Sequence, residues 1–243
     1  MPFLSIVIPA HNEASRLPAS MEKILAFLAQ QPYDAEVVIV ENGSTDNTLA
    51  LAQQFAEAHP DTVRVLHETR RGKGLAVQRG MLAARGDYRF LCDADLSMPI
   101  EEISRFLPPA LEDFDIAIAS RELPDSRRVN EPAYRHLVGR AFNLMVQAMA
   151  LPGFQDTQCG FKCFRADVAE DVFRYQTLEG MSFDVEVLFI ARRRGYRIVE
   201  VPITWYFDPD SRVRLVHDSL RMGIDLLTIR WNALRGRYDL SQA

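Results

Sequence analysis

The chain has 243 residues, 48% hydrophobic and 25% charged, with 28 Lys and Arg against 33 Asp and Glu for a formal net charge of −5. That length and balance are those of a folded soluble protein with one sizeable core, and they give no overall attraction to nucleic acid, so no nucleic-acid partner is expected. Cys92, Cys159 and Cys163 are too few and wrongly spaced for a disulfide framework or a zinc site. No export signal is evident and the apolar runs are too short to span a bilayer, so a cytoplasmic, reducing location is expected.

Residues 3 to 9, FLSIVIP, read as a buried first strand that Pro9 ends. HNEAS leads into a helix over roughly 17 to 30, with Ile24, Leu25 and Leu28 on its apolar side. EVVIVE, 36 to 41, is a second strand, and Asn42-Gly43-Ser44-Thr45-Asp46 turns into a helix across about 46 to 58, for which Thr45 and Asp46 are good caps. A third strand near 62 to 67 precedes RRGKG, which opens a helix to about Ala84, and 88 to 92 is a fourth strand. Pro99-Ile100-Glu101-Glu102 looks like a helix start, with another strand at 114 to 119. Beyond Ser120 the alternation weakens: a helix over 132 to 150, loop and short strands in GFQDTQCGFKCFR, a helix over 184 to 194, a strand over 196 to 203 and a helix over 213 to 234.

In RFLCDADLSMP an apolar run ends in Asp93 and Asp95, one residue apart, where Leu96-Ser97 and Pro99 turn the chain. Carboxylates at such an edge can share a divalent cation. Mg2+ and Mn2+ prefer oxygen ligands, and Mg2+ often takes only one or two carboxylates, a substrate's phosphates completing its shell. Asn12, Glu41, Asp93 and Asp95 all fall at or just after strand ends. In a largely parallel sheet covered on both faces, such ends converge on the ligand site. Arginines cluster at Arg121, Arg127, Arg128, Arg135 and Arg140, from Arg192 to Arg197, and at Arg212, Arg214 and Arg221, a pattern that suits phosphate groups or an anionic surface.

Four blocks, IVIPAHNE, VVIVENGSTDNT, RRGKGLAVQRGM and CDADLSMP, occur in order over residues 5 to 99 and resemble the nucleotide-sugar-binding half of the family 2 glycosyltransferases. DTQCGFKCF, MSFDVEVLFIARRRGYRIVEVPITW and SRVRLVHDSLRMGIDLLTIR resemble, within that family, the dolichyl-phosphate beta-glucosyltransferases and their bacterial polyprenyl-phosphate relatives. The resemblance implies an α/β chain of GT-A fold, a Rossmann-like nucleotide-diphospho-sugar transferase fold with a mostly parallel central sheet. It implies one domain over 1–243, with a nucleotide-sugar-binding half at 1–120 and an acceptor half at 121–243. The reaction it implies is inverting transfer of glucose from UDP-glucose to a dolichyl or polyprenyl phosphate, with Mg2+ or Mn2+ as cofactor.

By the same resemblance Pro9, Ala10, Asn12 and Glu13 contact the nucleotide, with His11 where an aromatic residue is usual. Glu41 takes a place near ribose and base where relatives carry aspartate, Gly43 and Ser44 allow close approach, and Lys73, between two glycines, lies near the nucleotide. Asp93, Ala94 and Asp95 complete the donor site, Asp95 as direct metal ligand and Asp93 toward ribose or a metal-bound water. Asn42 reads equally as a turn residue, Asp46 as a cap, and Arg70 and Arg71 as a solvated face. Asp156 and Asp184 are implied as sugar-hydroxyl contacts or site organisers, and Asp184 reads also as a helix cap.

A phosphate monoester acceptor, with a second pKa of about 6, is already ionised near neutral pH and needs charge compensation more than a base. Arg121 is the first choice to supply it, with Arg135, Arg140 and Arg212 as partners. The helices near 132 to 150 and 213 to 234 mix Leu, Met, Phe and Trp231 with arginine, which suits a membrane surface or a packed core almost equally. The expected location is peripheral on the cytoplasmic face of a membrane, with transient attachment, a membrane-protein partner or self-association. Ser97, where some related mannosyltransferases carry Gln, weighs against GDP-mannose. Mannose transfer to the same lipid phosphate and a soluble sugar acceptor stay open as alternatives, whereas the glycine-rich activating loop of nucleotidyltransferases is missing.

Overall fold

The computed structural model of the protein describes residues 1–209 and 215–239, with the backbone alone for 215–220. Its strands are β1 (Leu4–Ala10), β2 (Ala35–Asn42), β3 (Val63–Glu68), β4 (Tyr88–Cys92), β5 (Ile116–Ser120), β6 (Arg127–Val129), β7 (Phe161–Arg165), β8 (Ile198–Pro202) and β9 (Thr204–Tyr206). Its helices are α1 (Leu17–Leu28), α2 (Thr48–Ala58), α3 (Lys73–Ala83), α4 (Ala133–Met149), α5 (Ala166–Arg174), α6 (Phe183–Arg193) and α7 (Leu215–Leu234), with a 3-10 helix at Ile100–Phe106. Seven strands form one sheet in the order β3-β2-β1-β4-β7-β5-β8, and β6 and β9 form a separate parallel ribbon. Every pairing in the large sheet is parallel except those of β7, which runs antiparallel between β4 and β5.

The period of two along each strand sorts the core into two layers. Ile6 and Ile8 of β1, Phe90 of β4 and Phe161 and Cys163 of β7 pack with α1 and the 3-10 helix, while Val7, Leu91 and Phe164 pack with α3, α5 and α6. Helices therefore cover both faces, as the strand-helix alternation predicts. Phe161 anchors β7 beside β4: its ring meets Phe90 edge-on at 4.5 Å and Phe106 at 5.5 Å, contacts worth about 0.5–1.5 kcal/mol each beyond the area they bury.

The sequence reading differs from the structure at several places, and it passes over the ribbon of β6 and β9 altogether. GFQDTQCGFKCFR yields a central strand, because FKCF alternates around a buried position, and its antiparallel direction is not written in periodicity. Helix α5, which that reading passes over, buries Val168, Ala169, Val172 and Phe173 at helical spacing. The segment after Pro99 is a 3-10 turn, and α2 begins at Thr48, with Asp46 outside it accepting from the Thr48 backbone N–H at 3.0 Å. Ser211 and Arg212 lie outside the described residues.

Candidate active site

The carboxyl ends of β1, β2, β4 and β5 meet at one edge of the sheet, and the reversed direction of β7 brings its amino end to the same edge, where Cys92 pairs with Phe161. Three clusters of polar side chains stand there. The first joins the ends of β1 and β2. Pro9 and Ala10 pair with Val40 and Glu41, and Asn12, at φ +56°, receives its position from Ser44 and Thr45, whose hydroxyl and backbone N–H bond to its N–H and Oδ1 at 2.9 and 2.8 Å. Glu41 is buried, with one oxygen accepting from the Ser44 N–H at 2.5 Å and the other 2.6 Å from His67 Nδ1. Gly43 sits at φ +68° in the turn between them. Glu13 is gripped by Arg16 through both oxygens, at 2.7 and 3.0 Å. His11 Nδ1 lies 2.9 Å from the Asn42 carbonyl, and the Asn42 amide donates to the Gly72 carbonyl at 2.9 Å, which ties this cluster to the start of α3.

The second cluster is the acidic corner. Lys73 opens α3 and places its Nζ 2.7 and 2.9 Å from the two oxygens of Asp93. Two close backbone approaches make the corner fit. A Cβ at Gly160 would stand 1.9 Å from Asp93 Oδ2, and one at Gly74 would stand 2.6 Å from the Leu178 carbonyl, so α3 meets the amino end of α6 only because residue 74 has no side chain. Asp95 Oδ1 accepts from the Ser97 N–H at 2.9 Å, and the Ala94 carbonyl accepts from Ser20 of α1 at 2.7 Å, which fixes the turn. Asp184, in the first turn of α6, bonds Lys162 Nζ at 2.6 Å; Lys162 is fully buried on β7 and donates also to the Cys159 carbonyl.

Electrostatics separate the roles within the corner. Burial works against the charge of Lys73, but Asp93 and Asp184 outweigh it and raise its pKa, so it stays cationic. Burial raises the pKa of Asp95, and the neighbouring Asp93 adds to the rise against the opposing Ser97 N–H and Lys73. Burial also raises Asp184, with Lys162 and Lys73 opposing. Among the described residues no three His, Cys, Asp or Glu side chains are grouped so as to hold a metal by themselves. Two carboxylates crowded together fit a cation whose other ligands are the donor's phosphate oxygens, since such a cation relieves the repulsion that burial and Asp93 impose on Asp95.

The third cluster lies beyond β5. Arg121 grips Asp156 through Nε at 2.6 Å, Nη2 at 3.0 Å and its backbone N–H at 3.1 Å, and its guanidinium stacks over Trp205, 5.3 Å from the ring centroid. Burial works against the Asp156 charge, but Arg121 outweighs it and holds the carboxyl below its ordinary range. Arg121 is therefore already paired, and Asp156 is oriented by Arg121 rather than left open for a sugar. Arg140 reaches Glu122 at 3.5 Å and Arg135 stacks 5.0 Å from the Phe207 centroid. Cys159 stands between the second and third clusters, within electrostatic reach of Asp93, Lys162, Arg121 and Asp156; burial pushes its thiol up to about 12, which leaves it a wall and not a nucleophile.

Sequence reasoning brings Asn12, Glu41, Asp93 and Asp95 to one edge, gives Arg121 to the acceptor and sets Asp156 with Asp184 near the donor sugar, whereas in the structure Asp156 is paired with Arg121. It misses Lys162, His67, Gly160 and Trp205. The signal for Lys162 was present: a lysine inside the apolar alternation of FKCF has to find a buried partner or break the strand.

Residues 5–173 match Glycosyl transferase family 2. The dolichyl-phosphate beta-glucosyltransferase of Mus musculus is 34% identical over 253 residues, covering 98% of this chain and 78% of the relative, and that of Dictyostelium discoideum is 32% identical over 251 residues, covering 98% and 77%. Among solved structures, glucosyl-3-phosphoglycerate synthase from Mycobacterium tuberculosis, in complex with Mn2+, UDP and glucosyl-3-phosphoglycerate, superposes with a TM-score of 0.63 at 18% identity, covering 100% of this chain and 82% of that one. The acidic corner at the carboxyl edge of a mostly parallel GT-A sheet and the match over most of the length lead to one conclusion: the chain belongs to glycosyl transferase family 2 and is a nucleotide-sugar glycosyltransferase.

Proposed function

We propose that the enzyme transfers glucose from UDP-glucose to a polyprenyl or dolichyl phosphate with inversion. The observation that carries the donor side is the Asp93–Asp95 corner closed by Lys73. Asp95 and Asp93 would hold Mg2+ or Mn2+ against the donor's phosphates, where the cation offsets charge growing on the departing UDP. Lys73 adds a fixed positive charge beside the same phosphates. Pro9, Ala10, Asn12, Glu13, Glu41, Gly43 and Ser44 form the nucleotide wall, with Glu41 fixing the turn that carries Gly43 and Ser44. Asp184 accepts a hydrogen bond from a donor-sugar hydroxyl. The acceptor's phosphate oxygen attacks the anomeric carbon from the face opposite UDP, the bond to UDP breaks, and no base is needed because the monoester is already ionised. The part of Arg121 not used by Asp156 faces the acceptor phosphate.

The lipid acceptor is supported by the relatives aligned over nearly the whole chain and by the surface of α4 and α7. These helices pack on one another, and each leaves an apolar stripe in solvent: Tyr134, Leu137 and Leu144 on α4, and Ile224, Leu227, Trp231 and Leu234 on α7. Leu137 is 72% exposed and Leu234 81%. Arg221, Arg230 and Arg235 flank the α7 stripe in solvent, and α4 carries no acidic residue, a combination that fits an anionic lipid surface. No helix among the described residues is long and apolar enough to cross a membrane.

A second reading takes a soluble, phosphate-bearing acceptor, and the solved structure of similar fold favours it, since that protein is a glucosyl-3-phosphoglycerate synthase. There the nucleophile is a hydroxyl, and Asp184 would be its base. The purified chain with Mn2+ or Mg2+ is offered UDP-glucose or GDP-mannose against polyprenyl phosphate or 3-phosphoglycerate. Glucosyl transfer from UDP-glucose to the lipid is expected; transfer to 3-phosphoglycerate alone rejects the lipid reading.

A further inference from the structure

A lysine with no solvent exposure in the middle of a sheet is costly unless its charge has a use. Lys162 lies between Phe161 and Cys163, whose side chains enter the layer with α1. Strand alternation sends Lys162 to the opposite face, with α3 and α6, at the end of β7 nearest the acidic corner. There its ammonium does two things at once. It bonds Oδ1 of Asp184 at 2.6 Å, at the start of α6, and it donates to the carbonyl of Cys159, in the segment that carries Gly160 against Asp93. One side chain thus clips two walls of the donor corner together.

We propose that Lys162 is a positioning residue for sugar transfer: it fixes one oxygen of Asp184 so that the other is presented as an acceptor to a hydroxyl of the donor sugar. This rests on the donor-site reading of Asp184 given above. A pair kept only for packing would be replaceable by neutral residues of similar volume without loss of activity. A pair that presents an acceptor oxygen is not replaceable in that way. The groups facing Asp184 are Lys162 from β7, Lys73 from α3 and Asp93 from the end of β4, the two lysines opposing burial and Asp93 adding to it.

The test compares wild type, Lys162→Met, Asp184→Asn and the double variant, each confirmed folded by circular dichroism, for kcat and KM with UDP-glucose and for UDP-glucose affinity by calorimetry. Each single variant is expected to lose roughly 10- to 100-fold in kcat/KM, the worth of one charged hydrogen bond. The double variant is expected to match Asp184→Asn within about 2-fold, because both changes remove the same contact. In Lys162→Met the acid limb of kcat/KM moves to higher pH, since the charge that opposed burial of Asp184 is gone. Where Lys162→Met does not fold, the double variant, which leaves no unpaired charge, is compared with Asp184→Asn alone. Wild-type kcat/KM in Lys162→Met, an unmoved acid limb, or a further tenfold loss in the double variant overturns the role of Lys162 while leaving the donor site intact. An Asp184→Asn variant with unchanged kcat, KM and affinity overturns the donor-site reading of Asp184 and the proposal with it.

Discussion

Burial raises the pKa of Asp95 and Asp93 raises it further, so folding disfavours the ionised form of this carboxyl in the free enzyme. A carboxyl whose folded pKa lies above its unfolded value contributes stability below the unfolded pKa and loses it as pH rises through the folded one. Asp95→Asn cannot ionise and removes that penalty. In the presence of chelator at pH 7 its melting temperature is expected to rise above wild type, with no gain at pH 3, while metal-supported turnover falls at least about 10²-fold. A lower melting temperature at pH 7 would sink the account of the corner. At this scale the sequence was legible where a residue type stands at the end of a strand or the start of a helix: Asp93 and Asp95, Lys73 between glycines, Asp184 in the first turn of α6. It was illegible where the role depends on a partner distant in sequence. Nothing in the letters pairs Lys162 with Asp184 or gives Arg121 to Asp156, and Gly160 is explained only by the 1.9 Å that a Cβ would leave to Asp93.

Among the elements, α4 and α7 are the pair whose sequence admits two readings, and the structure divides each between them. On α4, Phe142, Asn143 and Val146 face inward while Tyr134, Leu137 and Leu144 remain in solvent; on α7, Met222, Leu226 and Ile229 are buried while Ile224, Leu227 and Trp231 are not. The guanidinium of Arg235 stacks 4.6 Å from the Trp231 ring, an arrangement that on the proposed lipid reading would let the aromatic enter a headgroup layer with the charge at its surface. Leu137→Glu and Trp231→Glu should each weaken sedimentation with anionic vesicles by roughly 10-fold or more, given about 1.5–3 kcal/mol for burying such a side chain. Because both positions are exposed, unfolding free energy should stay within about 0.5 kcal/mol of wild type. Unchanged vesicle binding would detach the lipid reading from this surface. By contrast β7 was the least legible element: its alternation marks a strand, but its place between β4 and β5 and its reversed direction are set by what Phe161 packs against.

For the molecule as a whole, the carboxyls whose pKa the fold shifts fall into two groups that acid treats differently. Glu36 and Asp156 are buried, which opposes their charge, yet hydrogen bonds and arginines prevail and lower both pKa values. Their stabilisation is fully present above the unfolded carboxylate pKa of about 4 and is lost as pH falls through the lowered folded values. Asp95 and Asp184, raised by burial, take up protons first, and that step relieves the fold while it spoils the donor corner. UDP-glucose binding with Mn2+, followed by calorimetry, should therefore fail at a higher pH than the acid unfolding seen by circular dichroism. Coincident midpoints would contradict this ordering. The mostly parallel sheet covered on both faces was legible from the alternation of strands with helices, because parallel neighbours need a crossover that lays a helix on one face.

The position of β5 bears on how the chain is made. Ile116–Ser120 emerges early, yet its hydrogen-bonding neighbours are β7 and β8, which lie some forty and eighty residues further on. Until they appear, a nascent chain presents the open side of β4 and an orphan strand, both templates for association with another polypeptide. A fragment stopped at residue 120 would carry most of the proposed nucleotide wall but not Gly160, whose carbonyl accepts from the Asp93 N–H at 3.2 Å, so the proposed donor-binding portion is not expected to be an excisable module.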